Sequence, residues 1–324
     1  MRRPGTGPAP RPLPGSGTPR AGAPATPAGD AAGASPTRRS RRQRRPHRPW
    51  RFAVKPTIVT LLITVGAVGM LIPFAWMLAT SLKPSTALLT IPPSLIPAEP
   101  TIEPYRDVMT RFPMARVFLN SAFVAIATTL GQLVLASMSG YAFARFRFPG
   151  RNVLFFVYLA TLMVPFAVTV TPLFIIVKYL GWTNSYAGLI VPPMFSAFGT
   201  FLMRQFFMNL PDELEEAATL DGASTLTTFL RVMLPISGPA FATLGIFAFM
   251  ASWNSFLWPL LIVSNPDFMT LPLALATLQG LYPGQTEWNL VMAGTVISVV
   301  PMIAVFLFAQ RWVIEGVSAS GLKG

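Results

Sequence analysis

Cysteine is absent from the 324 residues, and histidine occurs once, as His47. The first absence excludes disulfides, thiolate metal sites and a cysteine nucleophile, and the second leaves no imidazole cluster to hold a metal. Charge is scarce as well: Asp, Glu, Lys and Arg make up 11% of the chain against 52% hydrophobic residues, with a mean hydropathy of +0.53. That is too little charge to cover a soluble globule of this length, so the bilayer is the implied solvent. The phosphate-binding pattern G-x-x-x-x-G-K-[ST] is missing too. The terminal run from Gly316 to Gly324 superficially resembles it, but Leu322 interrupts the Gly-Lys adjacency and neither Ser nor Thr follows Lys323. The chain is therefore expected to be a non-enzyme without an ATPase site or bound cofactor of its own.

What charge there is lies unevenly. The formal net charge is +13, and about half of the Lys and Arg residues precede residue 56, while the remainder is nearly balanced by acids. Residues 1–52 are rich in Pro, Gly, Ala and Arg and poor in large apolar side chains. They cannot bury enough surface to offset the entropy of ordering, so they read as a disordered basic tail. Within it Arg38, Arg39, Arg41, Arg42, Arg44, Arg45, Arg48 and Arg51 stand directly ahead of the first apolar run. That is the pattern of a positive-inside anchor near anionic lipid; no aromatic interleaving or folded reading element supports nucleic-acid binding.

The rest, residues 53–324, carries six runs long enough to span a bilayer: roughly 57–82, 117–143, 152–177, 187–207, 239–263 and 290–312. The expected fold is an all-α membrane protein of six transmembrane helices. Arg145, Arg147, Arg151 and Arg231 in the short connections, with the basic tail, place both termini in the cytoplasm. Pro73, Pro165, Pro172, Pro192, Pro193, Pro259 and Pro301 interrupt the runs and predict kinks. Trp76, Trp182, Trp258, Trp288 and Trp312 fall near run ends, where an indole favours the headgroup region. None of the six runs contains Asp or Glu, so nothing in them titrates in the manner of a proton-coupled carrier, and the driving energy is expected to enter from outside the membrane.

Between the fourth and fifth runs lies the stretch from Asn209 to Ser224, too polar to enter lipid. It reads as a short helix: Pro211 suits a first turn, Asp212 and Glu213 complement the positive end of the dipole, and Asp221-Gly222 supplies a stop. Leu210, Leu214, Ala217 and Ala218 share one face, small enough at the alanines for another backbone to approach closely. The alternative, a helix lying on lipid, suffers from Glu213, Glu215 and Glu216 against anionic headgroups.

Glu216-Ala217-Ala218, Gly222 and Val232-Met233-Leu234-Pro235 fall at the spacing of the EAA loop. Trp76 to Lys83, Asn120-Ser121, Gly140 to Arg145, Met163 to Pro165, Phe201 to Phe206, Trp253-Asn254 and Gln310-Arg311 extend the likeness over nearly the whole chain after residue 56. Together these resemble permease subunits of binding-protein-dependent ATP-driven importers, in the sugar-uptake branch typified by the smaller maltose-system permease. Val232 stands where that family usually has Ile, and the C-terminal run is less glycine-rich than is usual there.

The resemblance implies a second, different permease, two cytoplasmic ATPase subunits that hold ATP and Mg, and an extracytoplasmic solute-binding protein. It implies that the loop 209–236 is the coupling element, with Leu214, Glu216, Ala217, Ala218, Asp221, Gly222 and Pro235 at the ATPase contact. For the solute, a carbohydrate or related polyol, the candidates along the path are Trp253, Asn254, Ser255 and Phe256, since sugars are held by aromatic faces and hydrogen bonds; plain helix packing is the other reading. Gln279, Tyr282 and Gln285 lie in the last outer loop, where the resemblance implies contact with the binding protein and a flexible connector is the alternative.

Overall fold

The computed structural model describes residues 56–87, 96–111, 113–279 and 286–321. The basic stretch 1–52 and the candidates Tyr282 and Gln285 lie outside them. Among the described residues every regular element is helical: α1 (Pro56–Ser81), α2 (Glu103–Arg111), α3 (Met114–Arg145), α4 (Arg151–Ala160), α5 (Phe166–Tyr179), α6 (Tyr186–Ile190), α7 (Ala197–Met208), α8 (Glu213–Leu220), α9 (Thr225–Thr228), α10 (Leu234–Ile236), α11 (Gly238–Trp253), α12 (Leu257–Ile262), α13 (Leu271–Thr277) and α14 (Trp288–Gly321).

Three helices are long and apolar enough to cross a bilayer unbroken, with spans at Thr57–Ser81, Met114–Arg145 and Trp288–Phe308. Three further crossings are bent pairs: Arg151–Met163 with Phe166–Tyr179 at 103°, Tyr186–Met194 with Ala197–Met208 at 43°, and Thr225–Ile236 with Gly238–Trp253 at 77°. Taking each pair as one crossing gives six, the number expected, although the first arm of the third pair, Thr225–Ile236, precedes the apolar run 239–263 and lies in the expected coupling loop. The bends have local causes. Pro165 lacks the N–H that would continue the helix from Thr161–Met163, and its own backbone is extended. Ser196 opens α7 from an extended conformation, its hydroxyl accepting the Gly199 N–H at 3.0 Å. Pro73, Pro172 and Pro301, by contrast, stay inside continuous helices. The fifth apolar run, read as one span to residue 263, is divided at Asn254–Phe256 into α11 and α12. There the Asn254 side chain returns to the Met250 carbonyl at 2.9 Å as the helix ends.

Helix α3 is the centre of the bundle. It packs along α7 on one side and α11 on another, while α14 lies against α1, α2 and α11. Its 32 residues contain no proline and reach about 48 Å at 1.5 Å per residue, longer than a hydrocarbon core of about 30 Å. Both ends therefore project beyond the apolar slab. The α3–α7 crossing is close because Gly140 has no side chain: a Cβ there would stand 2.7 Å from Met203 Cβ and 2.9 Å from the Arg204 backbone nitrogen. In lipid, where apolar tails compete with apolar side chains, such close contact of backbones is what holds helices together.

The buried side chains form three clusters. Trp253, Val117, Leu271 and Leu290 sit at one end of the bundle, Val124, Val177, Leu189, Trp258 and Ile262 beside them, and Tyr141, Met203, Phe207, Phe229 and Met233 at the other end. Helix α1 contributes almost nothing to them: none of its apolar window is buried, and Leu62, Ile63 and Met70 are among its widely exposed side chains. Trp76 and Trp288 are exposed, as an interfacial role requires, whereas Trp258 is 4% exposed and donates its indole N–H to the Gly188 carbonyl at 2.9 Å. Trp258 is thus a core residue, not part of an aromatic belt.

At the Met114 end of α3 the connecting segments are tied down by one buried amide. Asn120 Nδ2 donates to the carbonyls of Asp267 and Met269 at 2.9 and 3.0 Å, and its Oδ1 accepts the Tyr186 hydroxyl at 2.7 Å. The adjacent Ser121 Oγ accepts the Leu271 N–H at 2.6 Å. Ion pairs Arg116–Asp267 at 2.6 Å and Arg111–Glu287 at 2.5 Å complete this rim.

Candidate coupling and translocation sites

At the opposite end, α7 stops at Met208 and the chain turns through Pro211 into α8. The helix opens at Glu213, two residues beyond Pro211, with Glu213, Glu215 and Glu216 in its first turn, where their charge complements the dipole. It closes as the Asp221-Gly222 pair led one to expect. The Asp221 N–H bonds the Ala217 carbonyl at 3.0 Å, Gly222 takes φ +79°, and Ala223 N–H reaches back to the Ala218 carbonyl at 2.9 Å. This pattern of returning bonds needs a left-handed residue, and glycine adopts it without steric cost.

The two alanines of the expected docking face part company. Ala218 is buried at 8% exposure, and Leu210 and Leu214 are half-buried with it, so this face packs on the chain's own body. Glu213, Glu216, Ala217 and Leu220 look outward, Leu220 with 89% of its surface free. Their spacing of three and four residues makes one stripe of a helix. Leu220 was not singled out from the sequence; its place three and four positions beyond Ala217 and Glu216 is the signal that sets it on their face. Pro235 lies apart from this stripe: it follows a single turn of π-helix, Phe229–Met233, and precedes the 77° bend at Ser237.

Arg145, which the sequence offered as a loop charge and as the end of the Gly140 to Arg145 likeness but not as a clamp, holds α8 in place. Its side chain is 10% exposed. Nη2 donates to the Leu210 carbonyl at 2.7 Å, Nη1 pairs with Asp212, and Nε lies 3.4 Å from Glu215 Oε1. The Asp212 partner is 78% exposed, so that pair contributes little; the grip on the carbonyl, made by a nearly buried guanidinium, matters more. No short sequence pattern reveals this contact, since Arg145 and Asp212 are 67 residues apart.

The four path candidates are also divided. Trp253 is 2% exposed, stacked on Phe249 at 5.7 Å and edge-on to Phe118 at 5.6 Å, with its N–H on the Ser298 carbonyl at 3.2 Å. Those contacts are helix packing. Asn254 and Phe256 line an open depression of about 370 Å³ together with Gln279, Thr295 and Ser298. Ser255 turns instead into a narrower cavity beside Thr128 and Trp258. Neither lining contains a Lys, Arg, Asp or Glu, which suits a neutral solute and offers no acid–base or nucleophilic chemistry. Among the described residues no group of three His, Cys, Asp or Glu side chains is placed to bind a metal.

Comparison with known proteins agrees with this geometry. Residues 132–318 match the family described as "Binding-protein-dependent transport system inner membrane component". The chain is 36% identical over 255 residues to the arabinooligosaccharides transport system permease protein AraQ of Halalkalibacterium halodurans, covering 78% of this chain and 91% of that one. It is likewise 36% identical over 261 residues to the sn-glycerol-3-phosphate transport system permease protein UgpE of Pectobacterium atrosepticum, covering 79% and 93%. Among solved structures, a chain from the crystal structure of a bacterial ABC transporter involved in the import of the acidic polysaccharide alginate superposes with a TM-score of 0.71 at 22% identity, over 79% of this chain and 95% of that one.

Proposed function

As a member of the binding-protein-dependent transport system inner membrane components, this chain is a membrane-spanning permease subunit of an ATP-binding-cassette importer, and we propose that the solute it passes is a neutral carbohydrate or related polyol. The relatives' names cover both an oligosaccharide and a glycerol phosphate. One observation favours the neutral class: the depression holding Asn254, Phe256 and Gln279 and the cavity holding Ser255 are lined without a single cationic side chain. A phosphate taken out of water calls for Arg or Lys, whereas hydroxyls are satisfied by amides, hydroxyls and aromatic faces.

In this reading the chain pairs with a second, different permease. Two cytoplasmic ATPases holding ATP and Mg grip α8 through Glu216, Ala217 and Leu220, and the binding protein delivers solute at the rim built on Asn120. Both termini and α8 face the cytoplasm, supported by Arg145, Arg147, Arg151 and Arg231 near that end. The exposed face of α1 meets lipid or the second permease. Closure of the ATPases moves α8, and with it α3 and α7, as bodies, which exchanges inward and outward openings.

Uptake into proteoliposomes holding the complete importer tests the proposal. The expected result is ATP-dependent accumulation of a neutral oligosaccharide without any ion gradient, unaffected by excess glycerol 3-phosphate. Accumulation driven by a proton or sodium step in the absence of ATP would overturn the coupling, and preferential uptake of the phosphate would overturn the solute class.

A further inference from the structure

Two buried hydroxyls inside the membrane domain lack the partner that such groups ordinarily find. A threonine in a membrane helix usually returns its hydroxyl to the carbonyl one turn back, as Thr129 does to Ala125 and Thr295 to Val291, both at 2.7 Å. Thr128, 1% exposed on α3, makes no such bond, and its Oγ1 has no partner. Thr270, 4% exposed, occupies the capping position of α13, where a threonine oxygen normally accepts a first-turn N–H. It caps nothing: Pro272 removes one of the donors within reach, and Thr270 Oγ1 is also without a partner.

Both side chains line the same cavity, about 100 Å³ in volume, between α3, α6 and the α11–α12 junction. Of the other polar side chains there, Ser121 Oγ is committed to the Leu271 N–H, Gln132 Nε2 to the Pro193 carbonyl at 2.7 Å and Trp258 Nε1 to Gly188, while Ser252 and Ser255 add two further hydroxyls to the lining. A buried hydroxyl with no partner is destabilising, so two of them facing one hollow mark a place where something donates and accepts hydrogen bonds. A single water needs only about 10–15 Å³ of such space, so the cavity has room for several, or for the hydroxymethyl arm of a larger molecule. With no charged side chain in the lining, a neutral ligand fits the cavity without leaving a buried charge unpaired.

We propose that this cavity is a binding site for a neutral hydroxyl ligand, held by Thr128 Oγ1 and Thr270 Oγ1. The hydroxyl is supplied by water in the resting permease, and a hydroxyl of the solute in transit takes its place. The solute source rests on the carbohydrate reading above; the water source does not.

The importer complex in lipid nanodiscs, free of solute, provides the test. With a bound hydroxyl, Thr128→Val and Thr270→Val each lower the midpoint of thermal unfolding by a few degrees, and the double variant loses less than the two shifts combined, because both groups hold one ligand. Thr128→Ser and Thr270→Ser keep the hydroxyl and lie above the valine variants. If the cavity is dry, the sign reverses: valine removes an unsatisfied group and the midpoint rises or stays, which overturns the proposal. A measurement on the unaltered complex guards against variants that fail to assemble: under a radiolysis pulse, water in the cavity oxidises the buried Trp258, and absence of that oxidation also overturns the site. Arabinotriose then separates the sources. A rise in midpoint confined to the unaltered complex assigns the hydroxyl to solute, and no change assigns it to water; either supports the site.

Discussion

Arg145 reaches from the last turn of α3 to the backbone carbonyl of Leu210, 2.7 Å away, at the entry to α8. The bond joins the longest unbroken span to the segment that presents the acidic stripe of Glu213 and Glu216.

Because that grip is made with a fork of nitrogens, its loss has a graded signature. Arg145→Ala is expected to loosen α8 and cut the ATPase retained on co-purification by about tenfold, about 1.4 kcal/mol, close to the lower bound of about 1.5 kcal/mol for a hydrogen bond to a charged group. Arg145→Lys keeps the charge but cannot reach Leu210 and Asp212 together, and falls between. Asp212→Asn, at an exposed partner, changes retention by less than about twofold. Equal retention in all three would show that Arg145 does not position α8.

The two alanines of α8 separate docking from folding. Ala217→Trp adds bulk to an exposed position, so ATPase retention and stimulated hydrolysis are lost while the permease melts normally. Ala218→Trp overpacks a buried position and destabilises the permease itself by about 1–3 kcal/mol. Thermal melts of the permease pair without ATPase distinguish them, and identical melts for both variants would contradict the assigned faces.

Gly222 isolates backbone strain from crowding. A Cβ at this position meets nothing within 4 Å, yet φ is +79°. Gly222→Ala is therefore expected to cost about 1–2 kcal/mol through conformation alone. The cost is confined to faster amide exchange at Asp221, Gly222 and Ala223, with the spans unchanged.

Two glycines of α3 are expected to respond unequally to the same substitution. At Gly140 the obstacle includes the Arg204 backbone, which cannot step aside, so Gly140→Ala separates α3 from α7 and lowers stability by about 1–3 kcal/mol. At Gly131 the nearest atoms belong to the Met194 side chain, whose flexible thioether can rotate away, so Gly131→Ala is milder. Comparable losses at both sites would show the crossing to be looser than described.

The crossings were legible in the sequence because apolar runs of about 20 residues have few other uses. The stop at Gly222 was legible because a left-handed cap has few other tenants. Which prolines bend the chain was not. Pro165 sits at a 103° break and Pro172, seven positions on, lies inside α5, a difference that nothing in the sequence around the two prolines announces. Nor was the direction of Trp253: its position beside Asn254 suggested a path, but the side chain turns to Phe118 and Phe249, which only the packing of α3 and α14 against α11 determines. Arg145 could be read as a loop charge and not as a clamp, because its partners come from a part of the chain that tertiary contact alone brings near.

Helix α3 has no proline along its 32 residues, unlike α1, α5 and α14. Between Asn120 and Arg145 the axis runs about 38 Å at 1.5 Å per residue. With no proline to break its ladder of hydrogen bonds, α3 runs unbroken from the rim tied by Asn120 to the helix held by Arg145, and a fault cut into the rim is expected to be read at α8 as slack.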